Sequence, residues 1–206
     1  MSPLRRVVLL LWAAAAVAGL LAVTVFGDRL LGDAPAPAVA MRRALPGGDF
    51  TMADHRGRTF TQADLRGRPS LVFFGFTHCP DVCPTTLSDM SGWLADLGGD
   101  ADRLAAVFVS VDPDRDTPEV LRPYMEPFDP RIRALTGTAA ELQATAAHFG
   151  AAYRRVETSG AGGYTMDHTA LVYMLDAGGR FFGTVDFHEE RAIAIAKLRR
   201  LLAEGS

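Results

Sequence analysis

The chain has 206 residues, a net charge of −3 and a hydrophobic fraction of 49%. That is enough apolar material for one domain with a real core, perhaps with an appendage, and no basic footprint for nucleic acid. Its two cysteines do not by themselves fix a redox compartment.

The N-terminus carries the first organising signal. Val7 to Phe26 is a run of twenty residues without a charge, enough for a helix to cross roughly 30 Å of hydrocarbon. Arg5 and Arg6 precede it, so the positive flank belongs in the cytoplasm and the body of the chain outside it. A cleaved signal peptide is the competing reading. Its apolar region is normally about 7–15 residues long and ends at a small-residue site, whereas Ala38-Val39-Ala40 lies a dozen residues beyond the run. The length favours an uncleaved transmembrane anchor over residues 1–27. Residues 28–45 contain the Pro/Ala tract APAPAVA, a semi-stiff tether that at about 3 Å per residue reaches tens of ångströms. The globular domain is expected over 46–206.

Within that domain, short alternating segments near 49–53 and 58–61 flank a turn at His55-Arg56-Gly57. Ser70 to Phe76 is a continuous apolar run, the mark of a strand buried on both faces. TTLSDMSGWLADLG then predicts an amphipathic helix ending at Gly98-Gly99. A strand over 104–111, a helix from Thr117-Pro118-Glu119, a strand near 132–135 and a helix over 139–149 follow. Next come a strand near 152–156, a hairpin of 169–175 with 180–185 around Asp176-Ala177-Gly178-Gly179, and a closing helix over 191–203. The alternation predicts an α/β, thioredoxin-like fold: a mixed central sheet, mostly parallel with antiparallel strands at one side, flanked by helices on both faces.

Both cysteines fall in one stretch, GFTHCPDVCPTTL, four positions apart and each followed by a proline. A proline disfavours helical backbone in the residue before it, so Cys79 and Cys83 are expected on a stiff loop feeding a helix. The amino end of that helix favours negative charge and predicts a depressed pKa for at least one thiol. A structural zinc site would need four ligands. The Cys-x-x-x-Cys spacing differs from the usual Cys-x-x-Cys dithiol and weakens, without excluding, a pure disulfide-exchange reading. Two thiolates with one imidazole suit copper as Cu(I), and the imidazole makes Cu(II) tolerable.

The third ligand must come from five histidines. His55 sits in a turn and is expected at the surface, His78 should point away from Cys79, His148 closes a helix and His188 precedes one. His168 stands directly before an apolar strand, in a loop expected to pack over the cysteines. On pattern alone a structural role serves it equally well. Asp81 and Asp167 are candidate outer groups around the site.

GFTHCPDVCPTTL, SVDPDRDTPEVLRPY and YTMDHTALVYML together resemble the three signature segments of the Sco (SenC/PrrC) family, in family order, over roughly residues 46–202. These are membrane-tethered copper proteins of cytochrome c oxidase assembly. The resemblance implies one copper ion per chain, bound by Cys79, Cys83 and His168. It implies cytochrome c oxidase subunit II, or another copper-site protein, as partner, and metallochaperone work in place of enzymatic turnover. A thiol–disulfide reductase or redox-signalling role through Cys79 and Cys83 is the alternative. The composition and topology point to a bacterial inner membrane, with a cytoplasmic N-terminus and the domain in the periplasm.

Overall fold

Ser70–Gly75 is buried at every position, and it forms the centre of the sheet. The computed structural model describes residues 50–159 and 163–204. The anchor expected over 1–27 and the tether over 28–45 lie outside them. Among the described residues no helix is long and apolar enough to cross a membrane.

The strands are β1 (Thr51–Asp54), β2 (Thr59–Thr61), β3 (Ser70–Gly75), β4 (Ala105–Ser110), β5 (Ile132–Thr136), β6 (Tyr153–Glu157), β7 (Tyr164–His168), β8 (Leu171–Leu175) and β9 (Phe181–Asp186). The helices are α1 (Val82–Leu97), α2 (Pro118–Met125), α3 (Ala139–Phe149) and α4 (Arg191–Glu204). One seven-stranded sheet runs β2-β1-β5-β4-β3-β8-β9, and β6 pairs with β7 in a separate two-stranded ribbon. The α/β class and the mixed sheet are as the sequence predicts. The sheet differs in detail: β3, β4 and β5 are parallel, but antiparallel strands flank them on both sides, β1–β2 against β5 and β8–β9 against β3.

The period-two alternation of β3 assigns its aromatic residues to opposite faces. Phe73 meets Phe108, its register partner on β4, with ring centroids 5.9 Å apart. Phe74 points the other way, edge-on to Phe149 of α3 at 5.7 Å and to Tyr173 of β8 at 6.0 Å. Helix α3 is fixed at both ends by local chemistry. Thr138 and Glu141 form a reciprocal capping box, and Gly150 takes the left-handed conformation that stops it.

His55 departs from expectation. It is only 6% exposed, because its main chain and ring both act as extensions of the sheet. Its amide donates to Ala134 O at 2.8 Å, and Ala134 N donates to His55 Nδ1 at 3.1 Å. Its neighbour Asp54 is fully buried and accepts from the amides of Arg56 and Arg58 and from the Arg133 guanidinium. Burial alone would raise this carboxyl, yet the hydrogen bonds outweigh it and hold the pKa at about 2. The stabilisation from the ionised form is complete above the ordinary value of 3.8 and is lost as pH falls through about 2. Asp54→Asn should cost on the order of 3 kcal/mol at neutral pH. In urea unfolding followed by far-ultraviolet circular dichroism, the gap from wild type should narrow steadily below about pH 4.

Candidate metal centre

The carboxyl end of β3 delivers the cysteine segment, and the start of α1 turns it back over the sheet. Cys79 is partly exposed, and Cys83 is completely buried. Cys83 lies inside the first turn of α1, which begins at Val82, and not on the preceding loop. A proline at the third helical position removes only an amide that has no partner within the helix, and so Pro84 does not exclude Cys83 from it. The Cys83 amide donates to Cys79 Sγ at 3.4 Å, which ties the two residues together across the loop.

Gly75, the last residue of β3, is a steric requirement of this arrangement. A Cβ there would lie 2.8 Å from Cys83 Sγ and 2.8 Å from a Phe108 ring carbon. The buried thiol therefore occupies the space that any other residue at position 75 would need.

His168 arrives from the opposite end of the chain. It is the last residue of β7, a strand that the sequence pattern had merged into the loop before β8. Tyr153 of β6 pairs with it, and Thr169 N donates to Ala152 O. The ring is held edge-on by Phe73 at 6.1 Å and Phe76 at 5.8 Å between centroids. Its Nδ1 lies 3.2 Å from Thr169 O and its Nε2 3.5 Å from Cys83 Sγ. A carbonyl can only accept, so Nδ1 carries the proton and donates to it, and the Nε2 lone pair faces the sulfur. A carbonyl behind the ring is the usual way in which a metal-binding imidazole is oriented.

The ligand atoms of Cys79, Cys83 and His168 all lie within 4.8 Å of one another. Two soft sulfurs and one imidazole nitrogen form a donor set suited to copper or zinc. Burial pushes the Cys83 thiol far above its ordinary range and lowers the His168 pKa. The first shift is opposite to the depression expected from the helix terminus, because desolvation of a fully buried thiolate exceeds the effect of the dipole. The imidazole is left neutral, as a ligand must be.

Asp81 and Asp167 contribute no donor atom to this group, though the Asp167 charge acts on His168. Asp81 is exposed before α1 and accepts from Thr85 Oγ1 at 3.3 Å. Asp167 is exposed on β7 and bound by Arg154 through Nη2 at 2.6 Å. His78 is exposed beside Cys79, with Nδ1 3.1 Å from Thr77 Oγ1. The sequence reading missed Tyr124 of α2. Its hydroxyl is buried without a hydrogen-bond partner among the described residues. Burial, then the nearby Cys83 and Cys79, raise its pKa. Position 124 gave no signal beyond one aromatic in a short helix.

The family model described as SCO1/SenC matches residues 39–203. The chain belongs to this family. A SCO2-like protein of Rickettsia felis is 38% identical over 136 residues, which are 66% of each chain. The mitochondrial protein SCO2 of Saccharomyces cerevisiae is 33% identical over 157 residues, covering 74% of this chain but 52% of its own length. This member of the SCO1/SenC family thus spans only part of the curated relatives it matches. Among solved structures, Bradyrhizobium japonicum ScoI with copper bound is 43% identical, with a TM-score of 0.69 over 75% of this chain and 98% of its own. Yeast Sco1 with copper bound is 31% identical, with a TM-score of 0.70 over 77% and 88%.

Gly75→Ala should expel the Cys83 sulfur from its recess at a cost of about 1–3 kcal/mol. Under native conditions iodoacetamide should then label Cys83, whereas in the parent chain Cys79 alone should react. Mass spectrometry of the labelled peptides checks this.

Proposed function

We propose that this chain is a membrane-tethered copper-binding protein, and that it serves assembly of the dinuclear copper site of cytochrome c oxidase subunit II. One ion per chain is held by Cys79, Cys83 and His168. The supporting observation is the convergence of these three donor atoms within 4.8 Å, with the imidazole nitrogen already aimed at a buried sulfur. Copper-bound Sco structures at 43% and 31% identity support the choice of metal. The two sulfurs favour Cu(I), and the imidazole extends the site to Cu(II).

The thiols must be reduced to bind. A Cys79–Cys83 disulfide would remove both anionic ligands, so redox state switches metal affinity. The apolar run over Val7–Phe26, with Arg5 and Arg6 before it, supports an inner-membrane anchor and a periplasmic domain.

A second reading follows from the unequal exposure of the thiols. A partly exposed Cys79 beside a buried Cys83 matches the attacking and resolving sulfurs of a dithiol reductase. In that case partner cysteines are the substrate and no metal is transferred.

The full chain, reduced and anaerobic in detergent, should take up one copper per molecule. Cys83→Ser should abolish retention, and His168→Ala should weaken it by more than the roughly 10–100-fold typical of outer-shell losses. Equilibrium dialysis against a competing chelator measures both, and no uptake by the reduced parent chain would end the copper reading. His168→Ala should leave thiol–disulfide exchange unchanged if the chain is a reductase alone.

A further inference from the structure

Behind the metal centre lies a second convergence of polar groups, His78, Asp112 and Asp116, whose ligand atoms also fall within 4.8 Å of one another. The carboxylates are not available to an ion. Asp116 Oδ1 accepts from Thr77 Oγ1 at 2.5 Å, and Oδ2 accepts from Thr77 N at 3.0 Å and from Ser110 Oγ at 2.6 Å. Asp112 Oδ1 accepts from the Tyr164 hydroxyl at 2.7 Å, and Oδ2 accepts from Arg115 Nε. All four oxygens already have donors, and both carboxylates are buried. A cation here would have to displace a saturated network.

That network has direction. The Asp112 amide donates to Ser110 Oγ at 3.1 Å, which joins the two halves into one chain: Tyr164, Asp112, Ser110, Asp116, Thr77. Tyr164 begins β7, the strand that ends at His168. Thr77 stands two residues before Cys79. The relay therefore connects the element carrying the imidazole to the loop carrying the first thiol, by a route that touches neither.

Its outer end is clamped. The Tyr164 ring lies between the guanidinium of Arg115, 3.7 Å from the ring centroid, and that of Arg155, at 3.6 Å. Two cations so close to one ring must occupy opposite faces. Arg115 Nη1 also donates to the Tyr164 carbonyl at 3.1 Å, and Arg155 is balanced by Glu157 at 2.7 Å and Asp114 at 3.8 Å. Because among the described residues β6 and β7 pair only with each other, no main-sheet ladder there fixes this ribbon. The clamp and relay do so from one side.

We infer that the relay from Tyr164 through Asp112, Ser110 and Asp116 to Thr77 sets the distance between His168 and the cysteine loop, with Tyr164, Asp116 and Thr77 as positioning residues. The inference deepens the copper reading, since the distance it sets is that between proposed ligands.

Amide hydrogen exchange on the full-length, metal-free, reduced chain tests it. Tyr164→Phe keeps the ring in its clamp and removes only the hydroxyl. It should speed exchange about tenfold or more at Thr165–His168 and equally at the Thr77 amide, which Tyr164 does not touch. Thr77→Val, altered at the far end, should in turn speed exchange at Thr165–His168. The β3 and β4 amides should stay unchanged in both, showing an intact core. Effects confined to the mutated end of the relay, or absent, would overturn the inference. In a second arm, Cu(II)-loaded Tyr164→Phe should show an altered imidazole nitrogen signature in electron paramagnetic resonance, and an unaltered one would count against the relay. Failure of the parent chain to bind copper would overturn the copper reading alone, because the exchange arm contains no metal.

Discussion

The antiparallel pairing of β3 with β8 is the constraint on which the centre depends. Phe73 stands opposite Val172, so the strand that leads into the cysteine loop and the strand that follows His168 share one end of the sheet. Cys83 and His168 are 85 positions apart, and this register makes them neighbours. A slip of one residue would turn every side chain of β8 to the other face and shift the strand start that follows His168. The apolar face of β8 therefore fixes the site as firmly as any residue in it.

Around the convergence the protein makes a dry, aromatic recess. Phe73, Phe76 and Phe108 surround a thiol and an imidazole; Cys83 is fully buried, while Cys79 and His168 are each partly exposed. In such surroundings an isolated thiolate is expensive, which is why Cys83 holds its proton in the absence of a metal. The neutral imidazole behind it accepts a weak bond from that thiol and loses little by burial. A thiophilic cation supplies the charge that makes ionisation of both sulfurs tolerable.

The fold and the cysteine pair were legible in the sequence because their signals are local. The β3 run, the glycine pair that ends α1 and the Cys-Pro repeats each declare themselves within a dozen positions. His168 was legible only through its resemblance to a family segment, since a single histidine before a strand fits several roles. What escaped was non-local. Strand β7 alternates weakly and exposes much of its surface, and its pairing with β6 leaves no periodic signal in either segment. His55 reads as a turn residue until Ala134 lies opposite it. Tyr124, Gly75 and Asp116 matter through neighbours that are distant in sequence, and no spacing rule reaches them. The second antiparallel flank escaped for the same reason: β1 joins β5 across about eighty positions of chain, while its own sequence shows only two short segments about a turn.

The ribbon of β6 and β7 keeps its ladder to itself, and this separates two properties that most metal sites couple. Its outward swing would part the Tyr164 clasp and the packing of Tyr153, Met166 and the His168 ring against the core, yet leave each strand pairing of the seven-stranded sheet in place. Imidazole and sulfurs can then be drawn apart while the core stays folded. Parting the imidazole from the thiols and losing the fold are thereby separate events.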